Sequence, residues 1–297
     1  MYTKHFGLRE MPFGITPDTS FFFACTSYQE ALNTLLVATT GGEGFIKITG
    51  EVGTGKTLLC RKFMASLDDG YITAYIPNPF LEPRTFMLAL ADELGVVLPA
   101  SADQHRILKS IYHRLLDLAG DDKRVVLCID EAQAMPIETL EAVRLLTNLE
   151  TEKRKLLQIV MFGQPELDKK LKRREIRQLR QRISFHYHLG LLDRDEMEIY
   201  VNHRLRVAGF VGGRLFRSNA VRSLHAASRG TPRLINILAH KSLMLAFGEG
   251  RQDVVARHVN IAAKDTVAAH VNSVGWRFTV VLVMLAISCG AGWSFLR

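Results

Sequence analysis

The chain has no closely spaced pair of cysteines: Cys25, Cys60, Cys128 and Cys289 lie tens of residues apart among 297 residues. That spacing excludes a disulfide-stapled scaffold and a zinc site built from paired cysteines, and the four read as buried thiols of a reducing compartment. Low-complexity segments and internal repeats are also missing, and with 47% hydrophobic and 23% charged residues intrinsic disorder is excluded. The opening MYTKHFGLRE has no continuous apolar stretch, so it is not a secretory signal, and the chain is expected to start on the cytosolic side. Acidic residues are the minority charge, 30 against 38 basic, for a net charge of +8. The excess favours an anionic partner, which on charge alone could be a nucleotide, a nucleic acid or an anionic membrane surface.

Between Gly44 and Val160 short apolar runs alternate with longer helical stretches, the signature of a three-layer α/β domain with a parallel sheet. Phe45–Thr49, Tyr71–Ile76, Val125–Ile129 and Leu156–Phe162 read as buried strands, with Ser184–Leu189 as a fifth. Helices are expected over Lys56–Ser66, Pro83–Leu94, Asp103–Ala119 and Ile137–Asn148. Beyond Leu191 the strand pattern stops, and Asp193–Val207, Ser218–Ala227 and Pro232–Phe247 read as helices separated by the glycine-containing turns GFVGG and SRGTP. Another helix or two is expected between Arg251 and Ser273. The expected organisation is a core over 1–190, a small α-helical domain over 191–265, a linker over 266–277 and an apolar segment over 278–296.

That last segment, FTVVLVMLAISCGAGWSFL, has no ionisable side chain other than a thiol. As a helix it would extend about 28 Å, close to the ~30 Å hydrocarbon thickness of a bilayer. Trp276 and Trp293 stand near its ends, Arg277 and Arg297 bracket it, and the basic body precedes it. The reading is one C-terminal membrane helix with the body held on the cytoplasmic side. A buried terminal helix is the competing reading.

The chemistry is concentrated in a few short motifs. Gly50-Glu51-Val52-Gly53-Thr54-Gly55-Lys56-Thr57 fits G-x-x-x-x-G-K-[ST], follows an apolar strand and opens a helix that begins with Leu58. Such a loop turns its backbone N–H groups toward phosphate oxygens at a helix N-terminus. Lys56 would reach the β- and γ-phosphates of ATP, and the Thr57 hydroxyl would bind Mg²⁺. The strand VVLCI ends in Asp130 and Glu131. Strand ends of a parallel sheet share one crevice, so Asp130 is expected to face the Mg²⁺ at Thr57 and Glu131 to activate the attacking water. At the end of the next strand Gln164, in FGQP, carries an amide able to contact both γ-phosphate and water, although a plain loop would use the same residues.

Two basic features complete the set. Lys169–Arg182 carries eight basic side chains against one Glu175 and reads as a helix running into the fifth strand. It could be a solvated face, grip nucleic acid or lipid, or supply an arginine (Arg182, with Arg180 or Arg177 as substitutes) to a neighbouring subunit's γ-phosphate, an effect worth about 10³–10⁵ in rate. In GTPR, Thr231 suits the N-cap and Pro232 the first turn of a helix from which Arg233 would sense the γ-phosphate.

In this order the motifs resemble the AAA+ ATPases: Walker A at Gly50–Thr57, Walker B at Asp130–Glu131, first sensor Gln164, arginine finger among Arg177–Arg182 and second sensor Arg233. The lead-in His5-Phe6-Gly7-Leu8, Pro12-Phe13, Pro17-Asp18 and Phe21-Phe22-Phe23, together with FGQPEL and LRQRI, is similar to the ExeA/GspA family of secretion-pathway ATPases over roughly residues 1–265. AYIPNP and LLCRK most resemble its branch serving MSHA-type IV pilus biogenesis. The resemblance implies a P-loop AAA+ core with a five-stranded parallel sheet and a helical lid, and ATP hydrolysis with Mg²⁺. It also implies homo-oligomerisation and work on inner-membrane pilus or type II secretion assembly proteins. Family members carry a peptidoglycan-binding domain after the membrane segment, whereas the sequence here ends at Arg297. The alternative is a DNA-acting ATPase of the transposition-helper type, against which the apolar tail argues. The lead-in implies a wall for the adenine, with Pro12, Phe13 and Tyr28 offering surface, or else ordinary core packing.

Overall fold

The protein is described by a computed structural model covering residues 2–99, 102–152 and 154–270. The apolar segment 278–296 and its flanking tryptophans lie outside the described residues, among which no helix is long and apolar enough to cross a membrane.

Five strands, β1 (Phe45–Gly50), β2 (Tyr71–Ile76), β3 (Arg124–Ile129), β4 (Leu157–Gly163) and β5 (Phe185–Leu189), form one sheet in the order β2-β3-β4-β1-β5. Every neighbouring pair is parallel, with Val126 opposite Gln158, Ile46 opposite Val160 and Ile48 opposite Tyr187. The alternation of side chains along each strand divides the core in two. Ile46, Ile48, Val126, Cys128, Val160 and Phe162 face one side, and Phe45, Val125, Leu127, Ile129, Ile159 and Met161 face the other. β4, buried along its whole length, is apolar apart from Gln158, as a strand covered on both faces must nearly be.

The first face receives α2 (Thr26–Thr40) and α3 (Lys56–Met64). The second receives α4 (Pro83–Glu93), α5 (Gln104–Gly120), α6 (Ile137–Leu146), α7 (Pro165–Leu171) and α8 (Arg177–Arg180). After the sheet come α9 (Arg194–Val207), α10 (Ser218–Ser228), α11 (Pro232–Gly248) and α12 (Ala256–Lys264), the helical lid. The N-terminus contributes the short α1 (Tyr2–His5), which packs on α11.

The expected strands and helices are present with ends shifted by one or two residues. The basic run departs from the single helix that its composition suggests: it breaks between Leu171 and Arg177. Leu171, Ile176 and Leu179 are all buried. Two short helices joined by the exposed stretch Lys172–Glu175 let all three reach the core.

Candidate functional site

Because β4 lies between β3 and β1, the ends of these three strands stand side by side. Asp130 and Glu131 follow β3, Gln164 follows β4 and the phosphate-loop sequence follows β1. They open onto a cleft of about 1020 Å³, counted to its open mouth.

Val52, Gly53, Gly55, Lys56, Thr57 and Leu58 line this cleft, while Gly50, Glu51 and Thr54 support the loop from behind. Thr54 Oγ1 donates to the Glu51 carbonyl at 2.8 Å. Lys56 is buried, and its Nζ donates to the carbonyls of Gly50 (2.8 Å) and Glu51 (3.0 Å). Burial pulls the ammonium's pKa below its ordinary value, partly opposed by the charges of Glu131 and Asp130. Thr57 Oγ1 donates to Asp130 Oδ2 at 2.5 Å, so the two residues singled out for a metal are in direct contact. Burial raises the Asp130 pKa, against the opposing effect of hydrogen bonds from Thr57 and from the Glu131 N–H.

Glu131 adopts φ 49°, left-handed backbone that costs a non-glycine residue about 1–3 kcal/mol and must be held by its surroundings. Two amides hold its side chain: Gln133 Nε2 donates to Oε2 at 2.5 Å and Gln164 Nε2 to the same oxygen at 3.2 Å. Gln133 also accepts from the Gln164 N–H at 2.9 Å. Lys170, from the basic run, donates to the carbonyls of Gln133 (2.5 Å) and Met135 (2.7 Å) and so clamps the turn after β3. Gln133 was not singled out in the sequence, although it stands two residues beyond the acidic pair. Its role depends on the left-handed turn at Glu131, which brings it back over that carboxylate.

Lid and loop meet directly. The Arg233 N–H donates to the Gly53 carbonyl at 3.1 Å, and Arg233 lines the cleft. Thr231 occupies the N-cap of α11, as expected, but its side chain makes no capping bond. The Gly53 carbonyl instead satisfies one of the helix's free N–H groups. Arg182 does not line the cleft; its guanidinium donates to Thr147 Oγ1 at 2.7 Å, at the end of α6. Arg177 and Arg180 are exposed on α8.

Of the three lead-in residues offered to the adenine, only Tyr28 borders the cleft. Phe13 packs edge-on against Phe216 of the lid, 6.0 Å between centroids, and so belongs to the core, and Pro12 is buried beside it. Tyr28 acts on the loop itself. Its hydroxyl donates to the Thr54 carbonyl, and burial raises its pKa well above the usual phenol range. A Cβ at Gly55, where φ is +92°, would run into that hydroxyl oxygen. Gly55→Ala is therefore expected to destabilise the protein by about 2 kcal/mol, lowering Tm by roughly 4–8 °C. Gly42→Ala, at φ +81° with open space around it, is the control for backbone strain alone. An equal loss in both variants in thermal unfolding would show that the Tyr28 contact is unimportant.

Residues 39–171 match a family of AAA domains. Over 293 residues, 99% of this chain, the sequence is 38% identical to general secretion pathway protein A of Aeromonas hydrophila. The chain spans about half (53%) of that relative's length. Among solved structures, Cdc6p of Pyrobaculum aerophilum superimposes with a TM-score of 0.66 at 19% identity, over 84% of this chain and 70% of that one. The Aeropyrum pernix ORC2 protein, solved as ADPNP-ADP complexes, gives 0.61 at 16% identity over 88% and 74%. The Holliday junction branch migration motor RuvB of Thermotoga maritima gives 0.56 at 16% over 84% and 73%. At such identities the likeness establishes the fold: an α/β AAA+ core with a five-stranded parallel sheet and a C-terminal helical lid. In sequence, residues 39–171 resemble AAA domains, and the chain as a whole is similar to about half of general secretion pathway protein A.

Proposed function

We propose that this chain is a Mg²⁺-dependent ATPase that drives or regulates assembly of a type II secretion or MSHA-type IV pilus machine. The observation that carries the reading is the convergence of Lys56, the Thr57–Asp130 pair, Glu131 and Gln164 at three adjacent strand ends. A hydroxyl and a carboxylate oxygen 2.5 Å apart beside a phosphate loop suit Mg²⁺, which usually takes one or two protein oxygens and fills its shell with phosphates and water. Thr57 and Asp130 would hold the ion, which when bound neutralises charge on the β- and γ-phosphate oxygens. Lys56 would exchange its two carbonyl partners for phosphate oxygens. Glu131 takes the proton from the attacking water, with Gln133 and Gln164 keeping its carboxylate aimed. Arg233, already against Gly53, would carry the state of the γ-phosphate into the lid.

The core spans 1–190 and the lid 191–265. A linker over 266–277 would lead to a single-pass helix over 278–296 that holds the ATPase at the cytoplasmic face of a bacterial inner membrane. Subunits would associate so that Arg182, Arg180 or Arg177 completes a neighbour's site; for Arg182 this requires release from Thr147. The relation to general secretion pathway protein A supports secretion-type partners over nucleic acid. The DNA-acting alternative has in its favour the exposed basic residues Lys172, Arg173, Arg174 and Arg177 and predicts salt-sensitive DNA binding. Purified full-length protein is expected to release phosphate from ATP with Mg²⁺ and to lose all turnover when the ion is chelated. Turnover that survives chelation would overturn the assignment of Thr57 and Asp130.

A further inference from the structure

Residues 2–13 pack against the lid before the chain reaches the core. Tyr2 Oη pairs with His240 Nδ1 of α11 at 2.9 Å, and the Arg9 N–H donates to the Ala208 carbonyl after α9 at 2.8 Å. Beyond this docked segment, Gly14–Asp18 passes along the edge of the cleft as a strap. On the core side, Arg61 of α3 donates to the Pro17 carbonyl at 3.1 Å.

The strap is held from the lid by one buried cluster. Arg204 of α9 donates through Nε to the Pro12 carbonyl at 2.5 Å and through Nη2 to the Gly14 carbonyl at 3.4 Å. Asn236 of α11 donates to the same Gly14 carbonyl at 3.3 Å. Tyr200 joins the two, accepting from Arg204 Nη1 at 3.2 Å and donating to Asn236 Oδ1 at 2.8 Å. The Arg204 guanidinium also lies over the Phe21 ring, 4.6 Å from its centroid. Arg204 is 6% exposed, and among the described residues it forms no ion pair; it touches neutral carbonyls, a hydroxyl and a ring. Burying a guanidinium is costly; its charge acts on that of Asp18 in the strap without a direct ion pair, and what it hydrogen-bonds here is backbone bordering the cleft. The loop around Lys56, together with Glu131, lines one part of the cleft, so the part walled by the strap, Phe21, Phe23 and Tyr200 is left for an apolar ring.

We propose that Arg204, assisted by Asn236, is a positioning residue that holds the strap as a wall for the base of the bound nucleotide, so that base binding depends on these two side chains while triphosphate binding does not. The proposal rests on the ATP reading of the cleft. It implies that lid movement changes affinity for the base end of ATP through the strap and for the γ-phosphate end through Arg233, two separate mechanical links.

The test compares Mg²⁺-ATP with Mg²⁺-tripolyphosphate, which lacks base and ribose, as ligands of the full-length protein in detergent, by calorimetry. Arg204→Met is expected to weaken ATP by about tenfold or more, the scale of losing hydrogen bonds to a charged group, and to leave tripolyphosphate within about twofold. Arg204→Lys, which keeps charge without the planar fork, falls between, and Asn236→Ala repeats the pattern more weakly. Unchanged ATP affinity in Arg204→Met would overturn the proposal. So would equal weakening of both ligands together with a lowered Tm, which would mean that Arg204 only supports the fold. Failure of the unsubstituted protein to bind ATP would instead remove the ATP reading beneath it.

Discussion

Glu131→Gln is expected to bind Mg²⁺-ATP with near-normal affinity and to hydrolyse it about 10²–10⁴-fold more slowly, the usual contribution of a general base. Glutamine is isosteric, and its side-chain oxygen can still accept from Gln133 and Gln164, so the turn after β3 should hold its shape. Only the proton acceptor is lost. Single-turnover phosphate release against nucleotide affinity separates the two effects. Robust turnover would take Glu131 out of its assigned role. The same variant, held in the ATP state, is the form to purify from detergent-solubilised membranes. Pilus or secretion components travelling with it would support the proposed pathway, and recovery from the soluble fraction with DNA would overturn it.

Lys56→Ala is expected to lower ATP affinity by about 10²–10⁴-fold, as two charge-assisted contacts to phosphate are worth roughly 3–6 kcal/mol together. In the structure the ammonium is already dehydrated and bonded only to the carbonyls of Gly50 and Glu51. Part of the cost of burying it has therefore been met before nucleotide arrives, and phosphate offers it a stronger partner. The rise in Tm that Mg²⁺-ATP produces in the unsubstituted protein should vanish in this variant at the same ligand concentration. An undiminished thermal shift would mean that the nucleotide is not held at this loop.

Much of the site is legible in the chain because its parts are local. A strand, a glycine-containing turn and a helix in immediate succession are enough to place Lys56 and Thr57, and an apolar run ending in two carboxylates is enough to place Asp130 and Glu131. Gln164 could be located at a strand end but not assigned a partner. Its contact with Glu131 exists because β4 lies between β1 and β3, an order that strand periodicity does not specify. Composition misled at the basic run, since charge count says nothing about the break between Leu171 and Arg177.

The lead-in shows the same division. Its aromatic and proline residues left an adenine wall and ordinary core packing both open; Tyr28 does border the cleft, but Phe13 packs on Phe216 about two hundred residues away. Nothing near Arg204 or Asn236 in the sequence signals that both converge on Gly14. By itself the sequence determined the α/β class, the phosphate loop, the acidic pair and the helical character of the second half, since these follow from hydrophobic period and from motifs shorter than ten residues. Only the tertiary structure decided that Gln133 and Gln164 share one carboxylate oxygen, that Tyr28 braces the loop and that the N-terminal strap is held by the lid. Apart from that of Gln133, those contacts join segments 26 to 222 residues apart, and their geometry is set by how helices pack over a twisted sheet rather than by any local preference of the chain.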